Sequence, residues 1–277
     1  MSTPRSLTVP AGVHLVTVST PRGELAGLEA VPDGEARGHV LLVPGFTGSK
    51  EDFTPVLPLL AAAGWHATAY DQRGQWQSEG ADDADYSLEG FAADALAIRA
   101  VASRDHRTSH LVGHSFGGLV AQAAVLADPS AWSGLTLLCS GPGAFDVPDK
   151  LAQLRAFVHA VDDLGLEALH RVRAADAEPA TPQVQQFLHD RFVANTPRSV
   201  AAIAGHLTTA PDRVDAVAAT GVPVHVVRGR DDDAWPHAVQ DEMAARYGTT
   251  VLVVDGSAHS PAVENPPAAA RALISTF

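Results

Sequence analysis

A single cysteine, Cys139, occurs in 277 residues. No internal disulfide can form, and nothing in the chain calls for an oxidising compartment. The cysteine sits in the apolar run Leu135-Thr136-Leu137-Leu138-Cys139, which predicts a buried, inert thiol. Basic residues are also scarce: 19 Lys and Arg stand against 32 Asp and Glu, a net charge of −13. A surface of that sign repels phosphate backbones and anionic headgroups, so nucleic acid is not an expected partner. No run approaches the ~18 consecutive apolar residues of a membrane span. The N-terminal MSTPRSLTVPAGVHLV lacks the apolar centre of a secretory signal, which makes the cytoplasm the expected address. The thirteen histidines are scattered, with no H-E-x-x-H and no cysteine pair, so no metal is expected. The G-x-G-x-x-G spacing and phosphate-loop lysine are missing too, and no cofactor is implied. Neither a long heptad pattern nor a self-complementary strand edge bears on oligomeric state.

What the chain does have is apolar side chain in quantity, 46% hydrophobic residues against 18% charged, enough for one large core. Short β-branched runs alternate with longer alanine-rich stretches. Eight strands are predicted: His14 to Ser19, Glu24 to Glu29, His39 to Val43, Ala67 to Tyr70, His110 to Gly113, Leu135 to Cys139, Val222 to Val227 and Thr250 to Val254. The first two alternate polar and apolar residues, as a half-exposed antiparallel hairpin does. The later ones are near-continuous Val and Leu runs, the mark of strands covered on both faces. Between them apolar residues recur at helical spacing, as in Phe91, Ala95, Ile98 and Ala102. The fold class expected is therefore α/β, an eight-stranded, mostly parallel sheet flanked by helices.

Between Cys139 and Val222 roughly 80 residues contain no convincing strand, too many for one crossover. Spacings of three and four in Leu151, Leu154, Phe157, Val161 and Leu164, in Val184, Phe187, Leu188 and Phe192, and in Val200, Ile203 and Leu207 predict three or more amphipathic helices. Residues 1–145 and 213–277 are expected to form the core, and 146–212 a helical lid over the carboxyl edge of the sheet.

The segment richest in chemistry is His110-Leu-Val-Gly113-His114-Ser115-Phe116-Gly117-Gly118, an apolar strand running through G-x-S-x-G into a helical stretch. A turn this tight strains the serine backbone and needs small residues two before and two after it, which Gly113 and Gly117 supply. It also lifts the Ser115 hydroxyl to a helix N-terminus, where free amides and the positive dipole end stabilise developing negative charge. A serine hydroxyl needs a general base oriented by an acid. After the strand Val222 to Val227 come Asp231, Asp232 and Asp233, three candidates for the acid. After the last strand comes His259, the candidate base. An oxyanion hole needs two amides: Phe116 follows the serine, and Phe46 in the loop Pro44-Gly45-Phe46-Thr47-Gly48-Ser49 is the second candidate, in a segment that reads equally well as a plain turn. Trp76, His114 and Trp235 are candidate substrate-binding residues by position.

Taken together these segments resemble the α/β-hydrolase superfamily over nearly the whole chain apart from the lid. Its D-x-R-G-x-G-x-S signature is similar to Asp71 to Ser78, its G-x-x-D turn to Gly229 to Asp232 with Pro236 four residues on, and its G-x-x-H-S-P ending to Gly256 to Pro261. The resemblance selects Asp232 among the three acids and implies a Ser115, Asp232, His259 triad. Two departures stand out. Pro44 occupies the place of a histidine, which leaves the Phe46 amide unaffected. Trp76 replaces a glycine, either forming a pocket wall or packing in the scaffold. A serine rather than an aspartate nucleophile separates the chain from dehalogenase and epoxide-hydrolase relatives. The implied function is a serine hydrolase acting through an acyl-enzyme on a small to medium, neutral carboxylic ester, thioester or lactone. Alternatives on the same triad are carbon-carbon bond hydrolysis and cofactor-free perhydrolysis, and a ligand-binding protein with little turnover is a third.

Overall fold

A computed structural model describes residues 2–103, 108–175 and 180–277. Part of the expected lid, residues 176–179, and residues 1 and 104–107 of the expected core lie outside the described residues. Eight strands form one sheet: β1 (Val13–Thr20), β2 (Gly23–Ala30), β3 (Gly38–Val43), β4 (Trp65–Tyr70), β5 (Ser109–His114), β6 (Gly134–Leu138), β7 (Val224–Gly229) and β8 (Val251–Val254). Their order is β1-β2-β4-β3-β5-β6-β7-β8. β1 pairs antiparallel with β2 and β2 with β4, while every other pairing is parallel. The mostly parallel sheet with an antiparallel hairpin at its edge matches the expected fold class.

Strand ends shift from the sequence expectation by one or two residues for identifiable reasons. β6 stops at Leu138 because Cys139 turns to φ +48°. β7 starts at Val224, past Pro223, which has no N–H to donate and offers only its carbonyl, to the amide of Leu135. The central strands are buried throughout, and alternate side chains supply two cores. Leu41, Val43, Leu111, Leu135 and Val226 pack on one face, and Val40, Leu42, Val112 and Val227 on the other. Helices cover both faces: α1 (Leu57–Ala62), α2 (Leu88–Ala102) and α3 (Phe116–Ala127) in the first half of the chain.

β3 lies between β4 and β5, so the chain leaves it to one side first and returns on the other. At that reversal the carboxyl ends of β3 and β5 open side by side, a crevice in which α/β sheets take up ligands. The segment joining β6 to β7 contributes α4 (Pro148–Ala175), α5 (Pro182–Val193), α6 (Pro197–Thr209) and the short α7 (Val214–Ala218). The helical spacing that ends at Leu164 has a local cause, since α4 breaks at Gly165, whose φ of 73° and ψ of 165° are not helical. Phe157, Val161, Leu166, Leu169, Phe192, Val200 and Ala204 form the insertion's own core, and Phe46 of the sheet domain packs against it. The chain closes with α8 (His237–Arg246), α9 (Pro261–Glu264) and α10 (Pro266–Ile274). No described helix is long and apolar enough to cross a membrane.

Candidate active site

Ser115 sits between β5 and α3 at φ 54° and ψ −122°, a backbone conformation that side-chain-bearing residues rarely adopt. The flanking glycines are required by contact. A Cβ on Gly113 would lie 2.4 Å from the Gly117 carbonyl oxygen, and one on Gly117 would lie 2.3 Å from that of Val43. The turn is clamped by the Ser115 amide donating to the Leu138 carbonyl (2.9 Å) and by Ser140 Oγ donating to the Ser115 carbonyl (2.8 Å).

Three side chains from three loops meet at this turn. Ser115 Oγ lies 3.0 Å from His259 Nε2, and His259 Nδ1 lies 2.7 Å from Asp232 Oδ1. Because a carboxylate only accepts, Nδ1 carries the hydrogen and Nε2 is left to accept the serine proton. Asp232 is buried, and burial pushes its carboxyl up. Bonds from His259, from Gln240 Nε2 (2.8 Å) and from the Ala234 amide (3.1 Å) outweigh that penalty and hold it below the ordinary value. Of the other two acids after β7, Asp231 and Asp233 are exposed. Asp232→Asn is expected to lower turnover by roughly 10⁴ through the wrong histidine tautomer, whereas Asp231→Asn should retain most of it; steady-state rates of the two purified variants decide.

His114, expected at the pocket, is buried behind His259 instead. Its Nε2 donates to the His259 carbonyl at 2.6 Å, and burial, with His259 nearby, depresses its pKa to about 3. It remains a neutral prop for the loop carrying His259. Glu264 grips the same loop through the amides of Ala258 and Ser260. Trp235 is almost wholly buried and stacks on Phe145 at 4.3 Å, one layer behind the cavity surface. Trp76, at φ 48°, bridges the two parts of the molecule: its indole donates to Glu51 (3.3 Å), its amide to Asn195 (3.2 Å), and its ring packs edge-on to Phe187 at 5.7 Å. His114, Cys139 and His259 bring potential metal donors within 4.8 Å of one another. Both His259 nitrogens are engaged by Asp232 and Ser115, however, and burial raises the Cys139 thiol well above its ordinary value, so the set is poorly suited to a cation.

Phe116 opens α3, where the first amides have no intrahelical acceptor. Phe46 follows Gly45, whose α-carbon faces Ser115: a Cβ there would be 3.0 Å from the serine Cβ. Among the described residues the Phe46 amide has no hydrogen-bond partner. Two buried charges that helical and strand spacing did not reveal fix this loop. Lys50 Nζ bonds Asp71 (2.8 Å), Gln77 (2.8 Å) and Glu51 (2.9 Å), while Arg191, reaching from α5, bonds Asp52 (2.8 Å), Ser49 (3.2 Å) and the Ser2 carbonyl (2.7 Å). In the first signature motif, Asp71 therefore serves Lys50 and Arg73 grips Asp94 at 2.6 and 2.8 Å. Gln240 was missed as well, although its place one turn into α8 after Pro236 is the signal that could have found it.

Between sheet and insertion lies a cavity of about 250 Å³, walled by Phe46, Phe145, Leu154 and Phe157 with Lys150, Gln153 and Arg173. Two other aromatic residues of the insertion point elsewhere: Phe187 meets Trp76, and Phe192 is fully buried in the insertion's core.

The chain belongs to the alpha/beta hydrolase family, whose profile matches residues 40–272. Among curated relatives it is 40% identical over 106 residues to a protein named for carbamate hydrolysis, RutD of Variovorax paradoxus (strain S110). That match spans only 38% of either protein. It is 29% identical to the monoacylglycerol lipase of Mycolicibacterium smegmatis, over 75% of this chain and 74% of that one. Among solved structures, the enol-lactonase from Burkholderia xenovorans LB400 superposes with a TM-score of 0.77 at 19% identity, covering 94% of this chain and 99% of that one.

Proposed function

We propose that the protein is a serine hydrolase that cleaves a small to medium carboxylic ester, thioester or lactone through an acyl-enzyme. The carrying observation is the unbroken chain Asp232 Oδ1, His259 Nδ1, His259 Nε2, Ser115 Oγ, ending at the N-terminus of α3. His259 takes the hydroxyl proton as Oγ attacks the substrate carbonyl, and the new oxyanion is bound by the Phe46 and Phe116 amides. The leaving alcohol or thiol receives that proton from His259 as its bond to the acyl carbon breaks. Water then gives a proton to His259, attacks the acyl-enzyme, and releases the acid with Ser115 reprotonated. Asp232 stays ionised throughout and steadies the imidazolium. The helices of residues 146–212 act as a lid that shapes the substrate cavity. The names borne by the curated relatives, a carbamate hydrolase and a monoacylglycerol lipase, agree with acyl transfer to water.

Rapid mixing with p-nitrophenyl butyrate tests this reading. A burst of p-nitrophenolate equal to the enzyme concentration, with a mass gain of one butyryl group on the peptide carrying Ser115, is the expected result. Linear release from an unmodified chain, or a burst that persists in Ser115→Ala, would overturn it.

A further inference from the structure

Only two lysines occur in the sequence, and neither lies idle on the surface. Lys50 is buried under the loop bearing Phe46, and Lys150 lines the cavity. Lys150 Nζ bonds the carbonyls of Asp233 and of Ala234 (2.7 Å), two neutral acceptors directly after Asp232, and it lies 5.6 Å above the Phe145 ring. An ammonium has three donors, so one remains for a further partner. The second cation of the cavity, Arg173, rests on the faces of Phe157 and Phe192, each at 5.6 Å, and among the described residues it has no ion pair or hydrogen bond. A guanidinium laid on aromatic faces keeps its N–H edge free for a planar anion.

Eight other cations of this acidic chain are neutralised. Arg22, Arg73, Arg191, Arg213, Arg228, Arg230 and Arg246 each meet a carboxylate, and Lys50 meets two. Among the described residues the two cations in the cavity do not, and no described acidic side chain is part of its wall. The cavity lies beside the reaction site: Phe46, which follows the Gly45 that abuts Ser115, is in its wall, and Lys150 is tied to the loop of Asp232. A lid with few inward charges would suit the neutral substrate expected from sequence; Lys150 and Arg173 change that premise.

We infer that the substrate carries an anionic group, a carboxylate in its simplest form, that is received by Lys150 and Arg173 while the scissile carbonyl lies against Ser115. This rests on the serine-hydrolase reading for the position of the carbonyl, but the anion site can be tested without turnover. The shared chemistry is an ester with a carboxylate several atoms from the reacting carbon, on either the acyl or the alcohol side.

The test is calorimetric binding to the folded Ser115→Ala protein. Monomethyl adipate is compared with methyl hexanoate, which differ by a carboxylate on the acyl side, and 4-acetoxybutanoate with butyl acetate, which differ by one on the alcohol side. One anionic ester is expected to bind roughly ten- to a hundredfold more tightly than its neutral partner, the range of charge-assisted bonds, and to lose that advantage in moderate salt. The favoured pair shows which side the cavity receives. Lys150→Gln with Arg173→Gln should bring the ratio close to one, and Lys150→Arg should preserve most of it; a purely structural role would weaken both members of a pair alike. Ratios within about twofold for both pairs, or an advantage that survives the double substitution, would overturn the inference. Selective binding of an ester that the wild-type protein does not hydrolyse would leave the anion site standing and remove the serine-hydrolase reading.

Discussion

Replacing His259 with alanine is expected to reduce turnover of p-nitrophenyl butyrate by about five to six orders of magnitude, with the melting temperature almost unchanged. The size follows from how the residues act together. Without the imidazole nothing accepts the Ser115 proton, and the hydroxyl has too little alkoxide character at neutral pH to attack. On the proposed mechanism the amides of Phe46 and Phe116 remain in place for the oxyanion, and a residual rate about 10³ to 10⁴ above water is expected. Ser115→Ala with His259→Ala should therefore be little worse than either change alone. Folding should survive because the His259 ring is nearly one-third exposed, and its loop is held by backbone bonds to Glu264 and His114 rather than by the imidazole. A loss of tenfold or less in His259→Ala, or additive losses in the double variant, would show that another group is the base.

The second large effect concerns stability and centres on Arg191. This guanidinium is wholly buried and reaches Asp52 at 2.8 Å, Ser49 and the Ser2 carbonyl. Burial already pushes the Asp52 carboxyl above its ordinary value despite Arg191 beside it. Arg191→Met removes the cation bonded to Asp52 and leaves a buried carboxylate without its ion-pair partner, at a cost on the order of 3–5 kcal/mol. For a chain of this length that is a melting-temperature drop of roughly 10 °C. The pH dependence has a definite sign. Asp52 in the folded variant must hold a proton that the unfolded chain releases above about pH 4, so folding takes up a proton and stability falls as pH rises. The gap between variant and wild type should widen between about pH 5 and pH 8 in thermal melts. Arg191→Met combined with Asp52→Leu should recover much of the loss, since two apolar groups replace a broken ion pair. A variant that melts with the wild type at both pH values would show the pair to be dispensable. Because Ser49 and Asp52 cap the turn that follows Phe46, the single variant should also lose turnover beyond what its folded fraction explains.

Much of this molecule was legible along the chain because the determinants are short-range. β-branched runs bounded by turns identified all eight strands, with ends one or two residues off, two of them where Cys139 turns to positive φ and where Pro223 lacks a donor. The strand-turn-helix of Gly113 to Gly117 depends on steric contacts within a few residues and with the neighbouring β3, so its residue types announce it. The order serine, acid, histidine likewise follows from which strands carry the loops. Local pattern could not assign His114, Trp76 and Trp235, since a neighbour in sequence can face the cavity or the scaffold. In the folded chain His114 props His259 and Trp235 backs Phe145.

Local residue patterns encode the layered sheet, the strained serine turn and the kind of groups brought near it. Which charges meet is set by the folded arrangement. Arg191 finds Asp52 across 139 residues, and Lys150 finds the loop of Asp232 across more than 80. The physical reason is that periodicity reports whether a side chain is apolar on a buried face. A buried charge has no period, and its place is set by the one partner that can offset its desolvation, wherever the fold brings that partner.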